Sequence, residues 1–172
     1  PTSALVVLKS SPIASAKDLA GKVIGIAGLR TIGEVAARAW LESNGVSGDA
    51  VQYVEVPFAA MDAVLASGRV AAVMAEEPDL SEMVAGDGRV LAKAYSAIAP
   101  QWILGGYFGT LAFAQSHPDG VRRFADAMSE AAAWANANHA ATAAILAKYG
   151  KGAIPPNVQR MYFQCDPNDT VE

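Results

Sequence analysis

The sequence predicts an α/β fold, with a parallel or mixed sheet carrying helices on both faces, followed by a segment that is helical throughout. Three observations predict it. Apolar strand-like runs alternate with helical stretches up to residue 93. Glycines stand where the helices of that region must stop, at Gly21, Gly45, Gly68 and Gly86. From Ser116 onward the alternation ceases and an apolar period suited to helices takes over.

The elements follow in order. Ala4 to Leu8 is an apolar opening segment. Ser15 and Asp18 form a capping-box start for a short helix that Gly21 ends. Val23 to Ala27 reads as a buried strand, and Gly28-Leu29-Arg30 as a tight turn. Thr31 with Glu34 repeats the capping box and starts a helix with Val35, Ala39 and Trp40 as its inward stripe. Val51 to Val56 alternates as a second strand. Pro57 and Phe58 begin a helix with Met61, Val64 and Leu65 at helical spacing. Val70 to Ala75 is a third strand, and Glu76-Glu77-Pro78 turns into a short helix over Leu80 to Val84. Val90 to Ala92 is a fourth strand, 96–104 a loop, and the aromatic-rich run Gly105 to Ala114 a fifth extended stretch. Pro118 sits just inside a helix whose apolar face is Val121, Phe124, Ala125, Met128 and Ala132. Asn136 to Asn138 interrupts it, a second helix runs to Tyr149, and a last short one spans Val158 to Phe163.

Composition excludes several classes. A chain of 172 residues buries about 69% of its extended surface, enough for a full core. One cysteine, Cys165, excludes a disulfide within the chain and reads as an inert thiol. The formal charge of −4 and pI near 5.2 argue against a nucleic-acid footprint. No apolar run reaches the roughly 18 residues of a membrane span. The chain opens at Pro1 without a charged leader region, which reads as a mature form or a piece of something longer.

Catalytic and metal motifs are absent from the sequence. There is no Cys-x-x-Cys, His-Glu-x-x-His or Gly-x-Ser-x-Gly. Gly28 to Gly33 has the glycine spacing of a phosphate loop without the Gly-Lys-Ser/Thr that completes one. His117 and His139 flank helix ends and read as surface or cap residues. No cofactor or metal is expected.

A strand–turn–helix site remains. In open α/β sheets, ligands bind beyond the carboxyl ends of the strands. Three such ends are visible, at Gly28 to Ile32, Val56 to Phe58 and Glu76 to Pro78. The first opens into a helix whose unpaired N–H groups and partial positive charge favour an anion, and Arg30 adds a forked donor. Against this, Thr31 can simply cap its helix with Arg30 in solvent, Glu76 and Glu77 can be an exposed acidic helix start, and Phe58 can pack its helix. Trp102 and Tyr107 would line a cleft or belong to the core.

Several of these segments resemble one family. Ser11-Pro12-Ile13 and Asp18-Leu19-Ala20-Gly21-Lys22-Val23-Ile24-Gly25 are similar to the opening of the second lobe in ABC-transporter substrate-binding proteins of the nitrate, sulfonate, taurine and thiamine-precursor group. Gly68 to Ala72, Glu77-Pro78, the run from Tyr107 to Asp119, and Trp134 to Asn138 continue the likeness over about residues 5 to 150. Ala71 stands where that family usually has Asp, and the strands of its first lobe have no counterpart in these residues.

The resemblance implies a type II periplasmic-binding-protein-like α/β lobe with a mixed sheet over residues 8–104. Residues 105–172 would be the return strand and C-terminal helices of an otherwise missing first lobe. It implies a solute-binding component of an ABC importer, not an enzyme, that captures a small anionic organic solute (a sulfonate, nitrate, taurine or thiamine-precursor-like molecule) by cleft closure. Arg30, Thr31 and Ile32 would position the ligand, with Phe58 and Glu77 as walls. The implied partners are the solute and a membrane permease. The location would be periplasmic or extracellular, with a lipid anchor as one route to the membrane. The helical face at 118–135, deprived of its lobe, is expected to self-associate. A ligand-sensing domain of a transcription regulator and a pyrimidine-precursor enzyme on the same fold are the alternatives.

Overall fold

The structure, a computed structural model, describes residues 3–99, 102 and 105–149. These divide into two compact units, one ending at Trp102 and the other beginning beyond it.

The first unit is built on one five-stranded sheet: β1 (Ser3–Leu8), β2 (Val23–Ile26), β3 (Gln52–Glu55), β4 (Ala72–Glu76) and β5 (Gly88–Ala92), in the order β3-β2-β4-β1-β5. β2 runs parallel to β3 and β4, whereas β1 is antiparallel to β4 and β5, so the sheet is mixed. Helices cover both faces: α1 (Ile32–Ser43) packs on one, α2 (Met61–Ala66) and α3 (Asp79–Ala85) on the other.

The alternation of side chains along a strand explains how one segment feeds two cores. On β1, Leu5 and Val7 join Ile24, Ile26, Ala36, Leu41 and Met74 on the α1 face. Ala4 and Val6 join Val56, Met61, Leu65 and Leu80 on the other. All four β1 residues are fully buried. A strand buried on both faces reads as a continuous apolar run, as Ala4 to Leu8 does.

The structure corrects several expectations. The lobe boundary at residue 8 leaves out β1, which is an inner strand of the same sheet. Val35 is 48% exposed, and α1 turns Ala36, Ala37 and Leu41 inward instead, one step round the helix. Residues 105–110 are irregular and Leu111–Ser116 form a helix, α4, so the expected return strand is not formed there. The Thr110 hydroxyl caps that helix by accepting from Phe113 N at 3.1 Å.

The second unit holds α4, α5 (Pro118–Ala137) and α6 (His139–Tyr149). Asn138 separates the last two, where the sequence predicts the interruption. Among its described residues only Ala132, Ala135 and Thr142 are buried. The helix expected at Val158 to Phe163 and Cys165 lie outside the described residues.

Candidate ligand site at the carboxyl edge of the sheet

Because β2, β3 and β4 are parallel, their carboxyl ends reach the same edge of the sheet. The turn Gly28 to Thr31 leaves β2 there, Val56 to Phe58 leaves β3, and Glu76 to Pro78 leaves β4. Continuing the pairing of Ile24 with Ala72 sets Gly28 level with Glu76. The three segments read from the sequence therefore do converge on one edge.

The β2–α1 turn is pinned from three sides. Leu29 N donates to Glu55 Oε1 at 2.9 Å, and Arg30 N donates to Glu34 Oε2 at 2.8 Å. The Thr31 hydroxyl donates to Gly28 O at 2.7 Å. Arg30 is held at φ +60°, a left-handed conformation that costs a residue with a side chain about 1–2 kcal/mol.

Glu34 therefore reaches one residue further back than a capping box requires. Its carboxylate meets Arg30 N rather than the N–H of Thr31, and the Thr31 hydroxyl makes no cap bond. The N–H groups that open α1, Ile32 first, have no side-chain acceptor from Thr31. Arg30, Thr31 and Ile32 are exposed.

The other expected residues sit differently. Phe58 is half-buried against the Val56–Met61–Leu65 cluster, as a packing residue would be. Glu77 accepts from Ser81 N at 3.1 Å and Ser81 Oγ at 2.9 Å, so its carboxylate caps the first turn of α3.

Glu55 was not legible as part of this edge, and it holds the turn. Glu76, which opens the third strand end read from the sequence, accepts from Tyr95 Oη at 2.7 Å. Tyr95 packs edge-on against Trp102 at 5.5 Å, and burial pushes its phenol pKa up. Tyr107 instead belongs to the second unit, against Phe124 at 5.0 Å. His117, also there, stacks on Phe113 at 4.7 Å.

Glu34 links the turn to the body of the helix. Its Oε1 accepts from Arg38 Nε at 2.8 Å, and Arg38 Nη1 reaches Asp49 Oδ1 at 2.6 Å. The Arg30 N–H, and then Arg38, hold the Glu34 carboxyl below its ordinary value of 4.5. A lowered folded-state pKa gives stability that is present above the unfolded value and lost as pH falls through the folded one. The stability gap between the wild type and Glu34→Gln is expected to close as pH falls through and below the ordinary carboxylate range in urea titrations. A gap independent of pH would show that the carboxylate is not coupled to the fold.

Among the described residues, no group of three His, Cys, Asp or Glu is placed to hold a metal ion. None of the described helices is long and apolar enough to cross a membrane.

A family model described as NMT1/THI5 like matches residues 1–142. No curated protein matches the chain in sequence. Among solved structures, the periplasmic aliphatic sulphonate binding protein SsuA from Escherichia coli superposes with a TM-score of 0.73 at 20% identity, over 86% of this chain and 47% of that one. The alkanesulfonate-binding SsuA from Xanthomonas axonopodis pv. citri, bound to MOPS, gives 0.71 at 21%, over 86% and 50%. The desulfurization enzyme DSZB gives 0.57 at 19%, over 86% and 57%. The chain thus spans about half the length of the binding proteins it matches.

Proposed function

The chain belongs to the NMT1/THI5-like family, and from that premise we propose that it is part of a solute-binding protein that captures a small anionic organic molecule for an ABC importer. The carrying observation is the carboxyl edge of the sheet. Three strand ends meet there beside a helix start whose N–H groups lack a Thr31 acceptor, with Arg30 at its mouth. A head group placed against Ile32 N would meet free backbone donors, the helix dipole and the Arg30 guanidinium. Phe58 and Glu77 form the flanking walls in this reading.

The SsuA proteins it resembles bind sulfonates, which supports a sulfonate or a similar oxyanion as the head group. Binding would proceed by closure of a second lobe over this edge, with a permease as the membrane partner and a periplasmic or extracellular location. The chemistry is capture without turnover. No paired nucleophile and base stands among the residues assigned to the edge.

A thermal-shift series on the complete protein tests the reading, because a ligand that prefers the native state raises the melting temperature. Alkanesulfonates, taurine, nitrate and aminopyrimidines form the panel. A rise with at least one anionic member is expected. No rise with any of them overturns the assignment, and product formation at catalytic rates from a stabilising ligand overturns capture without turnover.

The second unit carries a separate expectation. Val121, Phe124 and Trp134 are each more than two-fifths exposed, while Met128 is half-buried and Ala132 buried. An apolar face of that kind favours association. Sedimentation velocity of the 172-residue chain is expected to show concentration-dependent self-association, and a monomer at every concentration would refute it.

A further inference from the structure

A groove of about 480 Å³ lies at the opposite edge of the first unit's sheet, where β2 and β4 begin and β1 ends. Its volume falls within the range of small-molecule sites, about 300–1,000 Å³. Leu8, Ile13, Val23, Leu65 and Val70 give it an apolar lining. Lys22 and Arg69 are its charged members, and no Asp or Glu lines it.

The two cations line the same groove, Lys22 just before β2 and Arg69 just before β4, and the bond from Ala71 N to Val23 O at 2.8 Å joins the two segments that carry them. Both are exposed, and neither forms an ion pair among the described residues. The walls are held by the fold. Arg89 on β5 donates from Nη2 to Ser11 O at 3.1 Å and also to Ile13 O, fixing the loop that forms one side. Gly21 N donates to Ala50 O at 2.6 Å, and Ala71 N to Val23 O at 2.8 Å, fixing the other. Gly21 and Gly68 lie at φ +72°, and no atom stands within 4 Å of where a Cβ would project from either, so the rim stays open.

We infer that this groove is a second binding site, for a small amphiphilic organic anion. The occupant is chosen by charge and shape. A preformed apolar floor takes an alkyl or aryl body, and the two unpaired cations of the lining take its carboxylate or sulfonate. The site stands on the edge away from the proposed solute site and is independent of that reading.

Amide shifts of the full chain under titration with octanoate, and separately with octan-1-ol, test it. The signals of Lys22, Gly68, Arg69 and Val70 are expected to move saturably with octanoate. Octan-1-ol should bind about tenfold more weakly or worse, and the Lys22→Gln/Arg69→Gln pair should weaken octanoate by about tenfold or more. Equal binding of acid and alcohol by the wild type overturns the assignment without recourse to any variant. Unchanged octanoate affinity in the double variant overturns it too, as do unmoved signals at these four amides. If they respond to an acidic apolar peptide but not to octanoate, the groove is a protein contact and the small-molecule assignment is wrong.

Discussion

Arg30→Gly is expected to leave the protein folded and to weaken its anionic solute by about 10- to 150-fold. The binding loss follows from one charge-assisted hydrogen bond, worth about 1.5–3 kcal/mol, at about 1.4 kcal/mol per tenfold. Glycine is the informative replacement because Arg30 sits at φ +60°. There glycine relieves a left-handed strain of about 1–2 kcal/mol while loosening the unfolded chain by about 0.4–1 kcal/mol. The two terms oppose, so the variant should be between equally stable and about 1.6 kcal/mol more stable. Alanine keeps the left-handed strain and removes only the guanidinium, so it is the control that isolates the binding loss. Calorimetric titration of the complete protein reads the affinity and urea unfolding the stability. An unchanged affinity for every anionic solute would make Arg30 a solvent residue.

Leu5→Ala is expected to cost about 2–5 kcal/mol of stability. Leu5 is fully buried on an inner strand, paired with Met74 on one side and Ala92 on the other. Removing its isobutyl tip leaves a cavity between two strands and α1 that backbone hydrogen bonds prevent from closing. Val35→Ala on the exposed side of α1 is the control and should change stability by no more than about 0.5 kcal/mol. Urea midpoints separate the two variants, and a Leu5→Ala loss as small as the control's would mean that the β1 core relaxes freely.

Local sequence carried the elements well and their partners poorly. Val23 to Ala27 followed by Gly28 and Thr31 marks a strand, a turn and a helix start, and β2 and α1 lie there. The apolar run Ala4 to Leu8 signals burial, but nothing within it says that it enters the sheet antiparallel between β4 and β5. The stripe on α1 was misplaced because Val35 is the more apolar residue, while close packing against the sheet selects the smaller Ala36 and Ala37. Gly105 to Ala114 looked extended on its aromatics, yet the Thr110 hydroxyl was the stronger local instruction.

At the carboxyl edge of the sheet, the legible residues were those of the three strand ends. Glu55 escaped, and so did the bond of Glu76 to Tyr95, because their partners lie 26 and 19 residues away. Spacing motifs capture contacts within a turn or two of helix, and these contacts are made by the sheet. Glu77 was visible as an acidic residue before proline, but its bond to Ser81 N, which makes it a cap, depends on how the chain turns at Pro78.

The antiparallel entry of β1 has a kinetic consequence. Among the described residues, Ser3–Leu8 pairs with residues 73–76 and 88–92. Closing a loop of that length precedes any reward from the pairing, which slows folding relative to a chain of local contacts. During synthesis β1 would wait for these partners until β4 and β5 had emerged. In the interim β2, α1 and β3 can assemble with one another but not with β1. Such a waiting strand is a ready template for another chain and a natural client of a holding chaperone.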